Sequence, residues 1–336
     1  MGREKYLYQI DFLKFIFACM IMFYHLVQFL SGYFPDISEY SKLTQRTATI
    51  GGAIVIAFFV LSGYFLCRKA FSQPYDPIRF AVDRVKKLWP LLAVSFIPFL
   101  LLGTFYVYDF LNILFISDGM GIVNGASHNA ATWFICVLFW LSLLFYYLLH
   151  NCKEEIVFIC SMLAIFGFMW LAKAPSGFYS AVAFPTFQLT SGMLRGIIGI
   201  SLGILVYFFL SEYNEQKETS LRNNIYFTAL ELMFLYLTGH YMCDKKPISQ
   251  DVFYQIILCG LIVCFILNQG YVSSFLNKKF CKILGEWSYG IYVMHFPVIE
   301  LMKRFIWEKN LISSPTVMMV ICSTICIISG GGQPIV

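Results

Sequence analysis

The chain has 336 residues, of which 59% are hydrophobic, 18% aromatic and 13% charged, with a formal net charge of +5. A soluble domain carries about 25% charged residues, so this composition excludes a chain that covers its own surface with polar groups. The expected fold is all-α, a polytopic transmembrane helix bundle. The modest charge and the lack of a helix-turn-helix, zinc-finger or RNA-binding pattern give no support to a nucleic-acid partner.

Apolar runs of membrane length recur near 6–30, 48–67, 88–108, 131–149, 155–173, 193–211, 223–241, 251–269, 288–307 and 314–329, about ten helices in all. No repeat or composition shift divides them, so 1–336 reads as a single membrane-embedded domain, with 31–47 and 213–223 as polar connections. Six cations in the 68–87 connection (Arg68, Lys69, Arg79, Arg84, Lys86, Lys87) set the orientation, with the N-terminus cytoplasmic. On that orientation Arg195 counts among the cations of the outer connections. The first run is too long for a cleavable signal peptide and reads as a retained anchor. The last, Thr316–Ser329, falls short of the ~20 residues a span needs, which predicts an incomplete or re-entrant helix. Eleven cysteines lie mostly in apolar runs without a CxxC pair, so they read as small apolar filler, with no disulfide framework and no metal site.

The first run holds the sharpest signal. Lys14 and His25 are eleven positions apart, which returns within about 20° on a helix and separates them by about 16 Å along its axis. Asp11 precedes Lys14 at i,i+3, where opposite charges meet. Intramembrane polar groups normally face a protein interior or a wet cavity, so this stripe points to a site. His25 has the chemistry of a general base, and Lys14 that of a charge for an anionic ligand or developing negative charge. The plain alternative is a polar cluster that holds helices together.

The 68–87 cations could hold the phosphates of a large anionic ligand through Arg84, Lys86 and Lys87; topology and attraction to anionic membrane lipid are the rival account. In Phe58–Tyr64, Ser62-Gly63 suits close helix packing, and no GxSxG elbow surrounds the serine. Ser288, Tyr292 and His295 share a helix face at i, i+4, i+7, either lining the cavity of His25 or anchoring the helix at the interface. His128 precedes Trp133 in an outer segment suited to a lid, His150 and His240 read as interfacial, and Glu231 is a lone intramembrane acid.

Together these stretches resemble the acyltransferase type 3 family of integral membrane enzymes. The resemblance rests on Ile10-Asp11-Phe12-Leu13-Lys14 with His25, on Phe58–Tyr64, on Arg84-x-x-Lys87-x-x-Pro90, on Trp133-Phe134, and on Ser288-Tyr289-Gly290-Ile291-Tyr292 followed by His295-Phe296-Pro297. It implies some ten transmembrane helices and transfer of an acyl group, usually acetyl from acetyl-CoA, to a hydroxyl of a surface carbohydrate or its lipid-linked glycan precursor. It further implies His25 as catalytic base, Lys14 (with Asp11) where an arginine is usual, Arg84 and Lys87 at the acyl-CoA site with Lys86 nearby, and Ser62, Trp133, Ser288, Tyr292 and His295 around the substrate cavity. The expected setting is the bacterial cytoplasmic membrane. Lys14 and Lys87 both depart from the family's arginines and lose a bidentate fork, and no glutamate follows Trp133. A rival class, a carrier exporting an anionic glycan or lipid, would use Lys14 and His25 as substrate or proton-relay groups.

Overall fold

The computed structural model describes residues 6–33, 38–122, 126–173, 189–214, 221–242, 251–309, 311 and 314–331. The helices are α1 (Tyr8–Tyr33), α2 (Ser38–Ser72), α3 (Pro77–Val94), α4 (Ile97–Leu101), α5 (Val107–Ile113), α6 (Trp133–Asn151), α7 (Ile156–Lys173), α8 (Ser191–Asn214), α9 (Leu221–Met242), α10 (Asp251–Leu267), α11 (Tyr271–Leu276), α12 (Phe280–Met302) and α13 (Pro315–Gly331). Short 3-10 turns precede α6, a π turn (Lys303–Trp307) follows α12, and no β-strand occurs among the described residues. Among the described residues four stretches are long and apolar enough to cross a membrane: Tyr8–Gly32, Gly51–Ser72, Ala130–Asn151 and Ser191–Tyr213. Ile156–Ala172, Val252–Leu267 and Thr316–Gly331 are apolar but shorter.

α2 is the hub. It packs against α1, α6, α8 and α10, while α12 runs along α1 and α13 packs on α12 and also touches α1. The α2–α8 crossing is close because small residues meet there: Gly63 lies against the Ile200 backbone, and Gly203 against the Val60 carbonyl and Gly63 itself. A Cβ at either position would strike backbone, so the Ser62-Gly63 pair does serve packing. Ser62 donates to the Phe58 carbonyl of its own helix at 2.8 Å.

Two expectations need correction. The run 88–108 is not one helix. α3 starts earlier, at Pro77, where Asp76 accepts from Arg79 N at 2.9 Å as an N-cap. It passes Pro90 and stops at Val94, and the chain then breaks into α4 and α5, with Gly103 at φ +69° between them. Buried polar groups hold the break: Asn129 Nδ2 donates to Ser95 Oγ at 3.0 Å, and Thr132 Oγ1 to Asn112 Oδ1 at 2.8 Å. The polar stretch 31–47 is likewise not a plain connection, because α1 continues to Tyr33 and α2 begins at Ser38; 34–37 lie outside the described residues. At the far end α13 is a continuous helix of 17 residues seated on α12.

Candidate active site

α1 carries two polar ends. At the first, Lys14 Nζ donates to Asp11 Oδ1 at 3.2 Å and sits 4.6 Å from the centre of the Phe65 ring of α2. Gly285 of α12 lets Asp11 pack directly on that helix, since the space of a Cβ there is filled by the Asp11 side chain. Arg84 and Lys87 of α3 belong to the same mouth: Lys87 is within electrostatic reach of Lys14, Arg84, Lys69 and Asp11. Lys69 donates to Asp83 at 2.9 Å and thereby holds that carboxyl below its usual range. Among the described residues neither Arg84 nor Lys87 has a carboxylate within 4.0 Å. Like charges gathered at one place repel, and an anion that joins them is bound correspondingly well. Lys86, exposed on the next position, is felt by Asp83.

At the second end His25 Nδ1 is 3.2 Å from Gln28 Oε1. Gln28 Nε2 donates to the Tyr24 hydroxyl at 2.7 Å, which leaves the amide oxygen facing the imidazole. An amide oxygen only accepts, so Nδ1 carries the proton and Nε2 of His25 holds the lone pair. His295 of α12 stacks on His25 with ring centres 5.2 Å apart and planes 20° from parallel. It is fully buried, its Nδ1 lies 3.3 Å from the Ile291 carbonyl, and its Nε2 has no hydrogen-bond partner among the described residues. Phe296 closes the pair from the side, 4.8 Å from His25.

Between the two ends lie rings. Phe58 of α2, half-buried, touches Phe17, Phe134 and Tyr292 at 5.9, 6.1 and 6.2 Å. Tyr292 donates to the Ala131 carbonyl at 2.9 Å and Ser288 to the Gly285 carbonyl at 2.6 Å. Of the face Ser288, Tyr292, His295, then, His295 meets His25 while the two hydroxyls are engaged by backbone. Trp133 opens α6, and Arg195 of α8 stands 6.0 Å from its ring centre. Arg195 is only 2% exposed and within electrostatic reach of Tyr24, so it lies inside the bundle and not in an outer connection.

Gln28, Tyr24 and Arg195 therefore join the site without having been singled out by the sequence. Gln28 was within reach of a helical count, at i+3 from His25 and i+4 from Tyr24. Arg195 was not, because its surroundings come from α1 and α6.

The remaining candidates have structural work. His128 Nδ1 pairs with Asp109 Oδ2 at 2.8 Å, and its ring stacks on Phe99. Glu231 Oε2 accepts from Val272 N and Ser273 N at 3.1 and 3.3 Å, capping α11 from α9. His240 stacks on Tyr236 at the end of α9. Pro297 cannot donate to the Val293 carbonyl one turn earlier. Asn129 Nδ2 supplies the missing donor at 3.0 Å, joining the segment before Trp133 to α12.

The family model described as an acyltransferase domain matches residues 7–331. The chain belongs to this acyltransferase family. It is also similar, at 24% identity over 264 residues covering 75% of this chain and 74% of the other, to a protein of Acidianus two-tailed virus provisionally named acetyltransferase ORF330. No solved structure matches the chain. A membrane acyltransferase needs a base for the acceptor, positive charge for an oxyanion, and a place for its donor. In this acyltransferase an imidazole pair and a group of cations lie at separate places along α1.

Proposed function

We propose that the protein moves an acyl group, acetyl foremost, from acyl-CoA to a hydroxyl of a cell-surface carbohydrate or its lipid-linked precursor. It works as one unit that crosses the bacterial cytoplasmic membrane several times with its N-terminus in the cytoplasm. What supports this reading is the spacing along α1: Lys14 lies within electrostatic reach of Lys87 of α3, and His25 stacks on His295 about 16 Å further on. With the N-terminus inside, the basic mouth faces the compartment that holds CoA esters. Arg84 and Lys87, with Lys14 behind them and Lys86 at the edge, bind the donor phosphates. Asp11 holds Lys14 in place.

His25 Nε2 removes the acceptor hydroxyl proton as the oxygen attacks the thioester carbonyl, forming the C–O bond and placing the carbonyl electron pair on oxygen. Arg195 brings a buried positive charge to this half of the bundle, where it offsets that oxyanion. When the C–S bond breaks, His25 returns the proton to the departing thiolate. Trp133, Tyr292, Ser62, Ser288 and His295 surround the acceptor's path.

Replacing His25 by alanine in the purified, detergent-solubilised protein should lower acetyl transfer by about 10²–10⁴-fold, the usual contribution of a positioned base. A folded His25→Ala protein that works at the wild-type rate would end the assignment.

A further inference from the structure

Packed rings link the basic mouth to a pocket beyond it. We propose that the pocket between the α2–α3 turn and the end of α6 binds the purine base of an adenine nucleotide, the far end of acyl-CoA. This rests on the donor proposed above and names the part of it that the pocket recognises.

The cavity measures about 370 Å³ and is bordered by Phe71, Gln73, Tyr75, His150, Asn151 and Lys153. That lies within the 300–1,000 Å³ usual for small-molecule sites. Phe71, Tyr75 and His150 supply the rings of its wall, and the buried rings of Tyr146 and Phe80 back them. Tyr75 stacks on Tyr146 at 5.6 Å and 23°, His150 stands 4.8 and 4.7 Å from these two, and Phe80 lies on Tyr146 at 4.1 Å and 2°. Arg84 and Lys69 then sit 5.1 and 5.2 Å from the Phe80 ring centre. Packed contacts through the buried Phe80 and Tyr146 therefore connect the Arg84 guanidinium at the mouth with the exposed Tyr75 ring.

The polar groups fit a base as well. His150 Nε2 is buried with no hydrogen-bond partner among the described residues. Asn151 adds an exposed amide, and Lys153 an exposed charge at the rim. A purine offers a flat π-face with donors and acceptors on its edge, and its phosphates extend from one side. Stacked rings with a free imidazole nitrogen and cations on one flank match that order. A phospholipid headgroup carries charge but no ring, and would leave the stack unused.

The test compares acetyl-CoA with acetyl-pantetheine, which lacks the nucleotide, as donors for the purified protein, together with binding of 3′,5′-ADP alone. Wild type should prefer acetyl-CoA in kcat/KM. Tyr75→Ala should shrink that preference roughly tenfold, as loss of one base-stacking ring does, and abolish 3′,5′-ADP binding. Tyr75→Phe, which keeps the ring, should restore both. If Tyr75→Ala fails to fold, His150→Leu provides the same comparison. Equal use of the two donors by wild type, or a preference and a nucleotide affinity untouched by these variants, overturns the pocket while leaving the donor reading in place. Tyr75-dependent 3′,5′-ADP binding without transfer from either thioester supports the pocket and sinks the donor reading; absence of both sinks both.

Discussion

Changing Gln28 to leucine isolates one contribution to the site, the choice of which His25 nitrogen bears the proton. The Nδ1–Oε1 contact of 3.2 Å is a neutral, part-buried hydrogen bond, worth about 0.5–1.5 kcal/mol net. At about 1.4 kcal/mol per factor of ten, its loss shifts the tautomer balance by roughly 2- to 12-fold. kcat should fall by that factor. KM for acetyl-CoA should hardly move, because Gln28 lies beyond His25, at the opposite end of α1 from Lys14 and Lys87. Steady-state kinetics on purified Gln28→Leu reads both quantities. Repeating the substitution in a His25→Ala background reads the coupling, since a residue that acts only through His25 should cost nothing further there. Undiminished kcat in Gln28→Leu, or the same loss with and without His25, refutes the reasoning.

Three other outcomes are expected. Arg84→Ala should raise KM for acetyl-CoA and flatten its dependence on ionic strength, because salt screens the mouth's charge; kinetics across a salt series measures this. Glu231→Ala strips two backbone N–H groups of their acceptor at a buried site. A cost of about 1–3 kcal/mol should lower the thermal midpoint in detergent, while acyl transfer persists at low temperature. Gly203→Val should force α2 and α8 apart and give aggregated protein on size-exclusion chromatography, whereas Gly239→Ala, with nothing within 4 Å of the added carbon, should elute as wild type.

How legible was this molecule? The bundle was written in its hydropathy, and the stripe of α1 in an eleven-residue spacing, because helical geometry is local and each needs only the residues nearby. That His295 would meet His25 could be read as a shared face, but the stacking depends on how α12 lies along α1, which no spacing within one helix encodes. The run 88–108 misled for a related reason. Averaged hydropathy sees its leucines and phenylalanines, but the helix ends where Ser95, Asn112, Asn129 and Thr132 can satisfy one another, and those partners are scattered over the sequence. Arg195 and Glu231 show the same limit. A lone charge in an apolar stretch signals a partner, yet the identity of that partner (Trp133 and Tyr24 for one, the start of α11 for the other) emerges only once distant segments are packed.

The proline after His295 has a mechanical consequence. Because the ring at position 297 breaks the ladder of α12, the helix is softest where the buried imidazole sits, and one amide from Asn129 stiffens it from outside. That same residue begins the segment leading into Trp133. Any movement of this segment would therefore be felt at a joint two residues from His295, beside the stacked rings.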